Sequence, residues 1–434
     1  MTLKWTNWAR TERSSPVLSV APRTLDQVVL AVQRALETGH TVKPIGASHS
    51  FTGIGATDGV RLDLSRLRGL VGVDLDRDRV TLWAGTHLWE LPAILEPLGL
   101  ALENMGDVDR QTISGATSTG THGTGLRFGS LATRITGATL VTGRGEVLTV
   151  DETQHPELLP AVALGLGALG VLVTLTIQCV PRFLMRAVEE PIRLETLLEE
   201  FEARNREADH FEFFWFPHTE KARTKTNSRL PFAAGEEPRT VLSNFLDEEF
   251  ANNAVFGALV GLERWMPAST PRVNRFIEAV SSRRDYTEDS HRVFVTPRRV
   301  RFREMEYALP LEAVPAAVRE LREMIDRCRF RVSFPVEVRT SAADPLWLST
   351  GYERECGHIA VHRYAGDPDL DYFREAETIL RAHDGRPHWG KMHTLGADEL
   401  RECYPAFGDF LAVRDRLDPD RVFANPYLQR VLGE

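Results

Sequence analysis

Apolar positions along the first 180 residues alternate between a helical and a two-residue period. Thr24-Leu25-Asp26-Gln27 has the spacing of a capping box, with Gln three residues after Thr. Val28, Val29, Ala31, Val32 and Leu36 follow at helical spacing until Gly39, so a helix is predicted there. Thr41 to Ile45 reads as a strand leading into a small-residue loop. Val60–Leu64 and Val80–Trp83 alternate as strands. Leu88 to Leu98 predicts a helix stopped by Gly99, with Pro92 tolerated only in its first turn. Residues 138–142 and 146–150 predict a hairpin across Gly143-Arg144-Gly145.

The texture changes near residue 182. Phe211–Phe216 and Phe334–Arg339 read as strands, and Leu311–Cys328 as a charged amphipathic helix. Arg229 to Pro238 is the best candidate for a mobile loop. From Arg386 the chain becomes rich in small and aromatic motifs again. Three segments are therefore expected: 1–182, 183–385 and 386–434, together an α+β protein of two domains.

Composition narrows the function. The chain has 434 residues and a formal net charge of -9, which argues against a nucleic-acid partner. Cys179, Cys328, Cys356 and Cys403 have no metal-ligand spacing and no dense disulfide pattern, so no metal site is predicted. The N-terminus lacks the apolar core of a signal peptide, and no run reaches the ~20 apolar residues of a membrane span. Ala254–Leu262 is apolar but short, and reads as a buried or interface helix. A reducing, cytoplasmic location is the expectation. The sequence leaves the oligomeric state open.

Two runs carry the candidate chemistry. Gly46-Ala47-Ser48-His49-Ser50 and Gly115 through Gly125 combine small residues with a histidine, His49 or His122. Backbone N–H groups and hydroxyls in such runs can approach and bind a pyrophosphate closely. Gly165-Leu166-Gly167-Ala168-Leu169-Gly170 fits GxGxxG, but it follows a helical stretch and enters the strand Val171–Ile177. A Rossmann fingerprint requires the reverse order. Glu337 and Arg339 are two apart, so a strand puts them on one face, as a surface ion pair or as a buried functional pair. Their apolar neighbours Phe334, Val336 and Val338 favour the buried pair.

Taken in order, further motifs resemble the sugar-1,4-lactone oxidases of the vanillyl-alcohol-oxidase flavoprotein superfamily, of the L-gulono-1,4-lactone oxidase type. They are the Gly46–Ser50 loop, Leu102–Gly106, Ser114–Gly125, Gly167–Val171 and Phe216-Pro217-His218. Downstream come Pro335–Arg339, Arg386–His393, Tyr404–Phe407 and Asn425–Leu428. The resemblance covers nearly the whole chain. It implies a PCMH-type FAD-binding domain with a cap domain over the flavin ring.

The resemblance also implies roles. FAD is bonded through its 8α-carbon to His49. Gly46, Ala47, Ser48, Ser50, Gly106, Thr112, Gly115, Ser118, Thr119, Gly120, His122, Gly170, Val171 and His388 line the cofactor. Arg339 holds a substrate oxygen or the anionic reduced flavin, and Glu337 orients it. Lys391 polarises, or takes the proton of, the hydroxyl that is oxidised, since a buried lysine can be tuned toward neutral pH. His393 separates lactone oxidases from alditol oxidases. Gly106 leaves room for oxygen at the flavin, while Asp107 has no assigned role. The expected reaction is oxidation of an aldono-1,4-lactone beside its carbonyl, with electrons passing to O2 or another acceptor. An alditol oxidase acting on a polyol, and a flavin carrier without turnover, are the rival readings.

Overall fold

The structure is a computed structural model that describes residues 4–232, 266–296, 300–367 and 370–434. The first helix spans Leu25–Thr38. Thr24 caps it by accepting from the Gln27 N–H, and Gly39 ends it at φ 67°. Gln27 completes no reciprocal box, because its side chain accepts from the N–H of Arg23 instead of Thr24. Val28, Val32 and Ala35 are its buried positions.

The predicted 88–98 helix is broken into three short pieces, Leu88–Glu90, Leu91–Leu95 and Glu96–Leu98. Pro92 sits in the first turn of the middle piece, the one position where its missing N–H costs nothing. The hairpin prediction matches strands Ile135–Val141 and Val147–Asp151, paired antiparallel.

Strands before residue 182 form three main groupings. A parallel sheet has the order Leu18–Val20, Val60–Asp63, Val42–Ile45. A five-stranded antiparallel sheet is centred on Val171–Gln178, flanked by Ile135–Val141 and Arg79–Trp83. Leu100–Ala101 pairs with Val180–Pro181.

From Phe183 onward the strands build one eight-stranded antiparallel sheet. Its order is Arg284–Asp289, Phe183–Arg193, Lys221–Pro231, His210–Trp215, Val336–Ser341, Cys356–Tyr364, Phe302–Pro310 and Arg386–Pro387. Helices Val314–Arg327 and Asp371–Ala382 pack together on one face. Met305, Tyr307, Val336, Val338, Ile359 and Val361 belong to the buried core. The intervening residues Glu304, Glu306, Glu337, Arg339, His358 and His362 point to the opposite face, as period-two alternation requires.

The expected 229–238 loop is corrected in part. Arg229 lies in the strand Lys221–Pro231, clamped over Phe128 at 4.2 Å and Phe183 at 4.7 Å. Residues 233–238, and the apolar Ala254–Leu262 segment, lie outside the described residues. The two parts of the molecule are joined by backbone bonds. Gly125 N–H donates to the Thr340 carbonyl at 2.9 Å, and Phe51 N–H donates to the Gly390 carbonyl at 2.8 Å. The C-terminal segment returns to the first part, where Val42 N–H donates to the Val422 carbonyl at 2.7 Å.

Candidate functional site

A cleft runs between Gly46–Ser50, Thr112–Gly115, Ser118–Thr119 and Gly165–Gly170. The strand Val42–Ile45 delivers the first loop, and Thr112 caps the short helix Ile113–Ser118 by accepting from Gly115 N–H. The two loops meet so closely that a Cβ on Gly46 would lie 2.2 Å from Thr112 Oγ1. Glycine is therefore required there by contact. Lys43 is buried at the cleft wall and donates to the Gly167 and Phe423 carbonyls, both at 3.2 Å. Burial pushes its pKa down to about 7.

The cleft continues into a second cavity of about 550 Å³. His49, Ser50, Gln111 and Thr119 line both. The second cavity is walled by Gly106 and Asp107 on one side and by the charged face of the eight-stranded sheet on the other. Gly106 packs against the other loop, where an added Cβ would stand 3.0 Å from the His122 carbonyl oxygen.

The charges in this cavity are paired. Arg339 Nη2 meets Glu337 at 2.5 Å, its Nε donates to Glu212 at 2.8 Å, and Asp107 is 3.7 Å away. Burial disfavours the guanidinium, but Glu337, Glu212 and Asp107 outweigh it and hold it charged. Lys391 is in contact with Glu304, and Glu306 is 3.9 Å away. Here too burial opposes the charge and the two carboxylates win, so the pKa of Lys391 is raised. The ammonium form is thereby favoured, which suits polarising a hydroxyl more than taking its proton.

The histidines divide by their partners. His122 has Nδ1 at 2.8 Å from the Gly123 carbonyl and Nε2 at 2.6 Å from Glu306, so both nitrogens face acceptors. His358 stacks on it at 3.7 Å and shares a bond with Ser341. His388 Nδ1 accepts from Gly390 N–H, and burial lowers its pKa to about 4. His49 makes no hydrogen bond with any described residue. Burial, then Lys391, Arg110 and His87, lower its pKa to about 4.

Among the described residues one trio could offer ligand atoms to a metal: His122, Glu306 and His388. Their candidate ligand atoms lie within 4.8 Å of one another, and the His122 Nε2–Glu306 bond already joins two of the three. His393 stands elsewhere. It lines a separate cavity with Arg303 and Arg430, and its Nε2 is 3.0 Å from Tyr427 Oη. Gly120 lines neither the cleft nor the cavity, and Val171 begins the strand that leaves the cleft.

Sequence reasoning passed over Glu304, Glu306, His358, His362 and Glu212. The signal was present. Each interrupts an apolar strand with period two, as Glu337 and Arg339 do.

Residues 175–431 match the D-arabinono-1,4-lactone oxidase family model, and residues 16–151 match a FAD binding domain. The chain belongs to the D-arabinono-1,4-lactone oxidase family. An L-gulono-1,4-lactone dehydrogenase of Mycobacterium tuberculosis is 41% identical over 431 residues, covering 99% of each chain. An L-gulonolactone oxidase of Bos taurus is 31% identical, covering 99% of this chain and 98% of its own. The fold is that of the vanillyl-alcohol-oxidase flavoproteins. The crystal structure of cholesterol oxidase from B. sterolicum superposes with a TM-score of 0.82 at 19% identity, covering 100% of this chain and 97% of that one.

FAD is thus the cofactor, and the residues present fit it. The cleft offers small side chains and close backbone where a dinucleotide needs them. It opens at His49 into a cavity able to take a ring system and a small substrate. Among the described residues, no helix is long and apolar enough to cross a membrane.

Proposed function

We propose that this protein oxidises an aldono-1,4-lactone at the hydroxyl beside the lactone carbonyl. The reading places FAD in the cleft of residues 1–182, linked covalently to His49. Residues 183–385 cap the ring, and 386–434 return to the flavin. One observation carries it: the paired charges of the sheet face close a cavity that shares His49 with the cofactor cleft.

When bound, FAD supplies the two-electron acceptor. Lys391 donates to the hydroxyl oxygen and stabilises its developing negative charge. Glu304 fixes the Lys391 ammonium, and with His362, 3.5 Å beyond, it forms the route for the departing proton. Arg339, fenced by carboxylates, contributes a positive field without being free to bind an acid. Glu337 holds Arg339 and is placed to accept from substrate hydroxyls. His388, neutral and with Nδ1 occupied by Gly390, presents Nε2–H as a donor. Such a wall suits a neutral polyhydroxyl ring.

Anaerobic mixing with gulono-, galactono- and arabinono-lactones and with xylitol tests the reading. Bleaching of the flavin by a lactone and not by xylitol is the expected result. Bleaching by xylitol alone would make the protein an alditol oxidase, and no bleaching at all a carrier. For the covalent link, acid-precipitated protein is expected to stay yellow, and the His49 peptide to carry the flavin mass. Gly106 supports O2 as an acceptor, because it leaves the loop beside the ring without a side chain.

A further inference from the structure

Residues 4–14 lie as a strap across the His49 loop. Trp5 Nε1 donates to Ser48 Oγ at 2.9 Å, and Trp8 N–H donates to the Ser48 carbonyl at 2.8 Å. Asn7 Nδ2 donates to the Ser50 carbonyl at 3.0 Å. Ser48 has φ 58°, a left-handed conformation that serine seldom adopts, and the strap bonds hold it there. The loop is therefore clamped on both sides of His49.

Trp8 does more than clamp. Its ring lies over the His49 imidazole with centroids 5.6 Å apart and planes 22° from parallel. Phe302 and Phe51 fix Trp8 edge-on, at 5.3 Å and 6.3 Å. Trp8 and His49 both line the substrate cavity. The imidazole is thus held by its face while its nitrogens have no hydrogen-bond partner among the described residues. His122, in the matching glycine-rich run, has both nitrogens occupied.

We propose that the N-terminal strap, through Trp8, is the positioning device for flavin attachment, holding the His49 ring in the orientation from which its nitrogen bonds to the cofactor. This rests on the reading of His49 as the covalent site. In the step, the imidazole N–H and one C–H of the 8α-methyl group are lost and an N–C bond forms. The two electrons released pass through the flavin to dioxygen, and the two protons go with them, giving hydrogen peroxide. The imidazole must be neutral to act as the nucleophile. Burial, to which the Trp8 stack contributes, keeps it so, with Lys391 and Arg110 as the charged groups and His87 as the titratable group facing it.

The test follows attachment directly. Wild type, Trp8→Phe, Trp8→Leu and Trp8→Ala, each expressed with His49 intact, are incubated with FAD in air. Covalent flavin is read by intact mass after acid precipitation, and folding by binding of FAD before precipitation. Trp8→Ala and Trp8→Leu are expected to bind FAD yet attach it at least about tenfold more slowly, with Trp8→Phe restoring most of the rate. The pH at which attachment becomes half-maximal is expected to rise in Trp8→Ala, because the imidazole is less desolvated. Attachment at the wild-type rate in either ring-deleted variant overturns the proposal. So does an unchanged pH midpoint in Trp8→Ala, or failure of Trp8→Phe to recover. Release of all flavin from acid-treated wild type overturns the His49 reading itself, which separates the two failures.

Discussion

The cleft beside Gly46–Ser50 is lined by small and apolar residues, and apart from His49 its one ionisable lining residue is Lys43. The cavity on the far side of His49 is lined by Asp107, Asp109, Glu304, Glu306 and Glu337, facing Arg110, Arg339 and Lys391. The two share four residues and little else in construction. A ligand that brings its own negative charge is met by N–H groups, which need no counterion. A neutral ligand brings no charge, so every charge at its site is one the protein supplies. Those charges can be buried only if they neutralise one another.

Arg339 is the sharpest break point in this contrast. Arg339→Leu removes the cation that Glu337, Glu212 and Asp107 share, and leaves Glu212 with Lys225, 3.8 Å away. A loss of about 3–5 kcal/mol in urea unfolding is expected. Flavin reduction by lactone should also slow by roughly 10²–10⁴-fold. A variant of unchanged stability would show that the carboxylates have other partners strong enough to hold them.

Lys391 comes next, and affects rate more than folding, because it is partly open to the cavity. Stopped-flow reduction in Lys391→Met should fall by about 10²–10³-fold. Glu304→Gln sharpens the same point through pH. With its main carboxylate partner gone, burial dominates and the pKa of Lys391 falls. The alkaline limit of reduction should then move to lower pH than in wild type. An unmoved limit would mean that Glu304 does not hold the ammonium.

A smaller effect separates the closed lactone from its hydrolysed form. The aldonate carboxylate would meet an excess of buried acids, and Arg339 is already engaged by three of them. Competition with the lactone should show the aldonate binding about 10–100-fold more weakly. Equal affinity would place the substrate ring away from this wall. Smallest of all is Gly106→Ala. Its methyl presses on the His122 carbonyl, so the loop must give by a few tenths of an ångström. Reoxidation by O2 should slow while turnover with a dye acceptor changes little. Negligible oxygen consumption by wild type with its best lactone would make the protein a dehydrogenase, with the gate elsewhere.

The legible parts of the site are those in which one short segment carries the information. Glu337 and Arg339 are two apart on one strand, and the structure brings them within 2.5 Å. Gly46–Ser50 reads as a close-approach loop, and it forms a wall of the cleft. Glu304 with Glu306, and His358 with His362, carry a similar signal, since each pair shares a strand face. Their meaning depended on knowing which strands are neighbours. Glu304 opposes His362 in register, although 58 residues of chain separate them. Lys391 was legible as a candidate, but its protonation state was not. That is set by two carboxylates on another strand.

The sequence by itself determined the periods, the caps and turns, and the loops that only small residues can form. These follow from sterics and hydrogen bonding within a few residues, and the helix Leu25–Thr38, the hairpin and the strand Val336–Ser341 came from them. Tertiary structure alone decided which charges are paired, which histidine keeps free nitrogens, and that His393 faces a different cavity from Lys391. The physical reason is range. Steric preferences act along the chain, whereas the charge state of a buried group is set by whatever the fold places within a few ångströms of it.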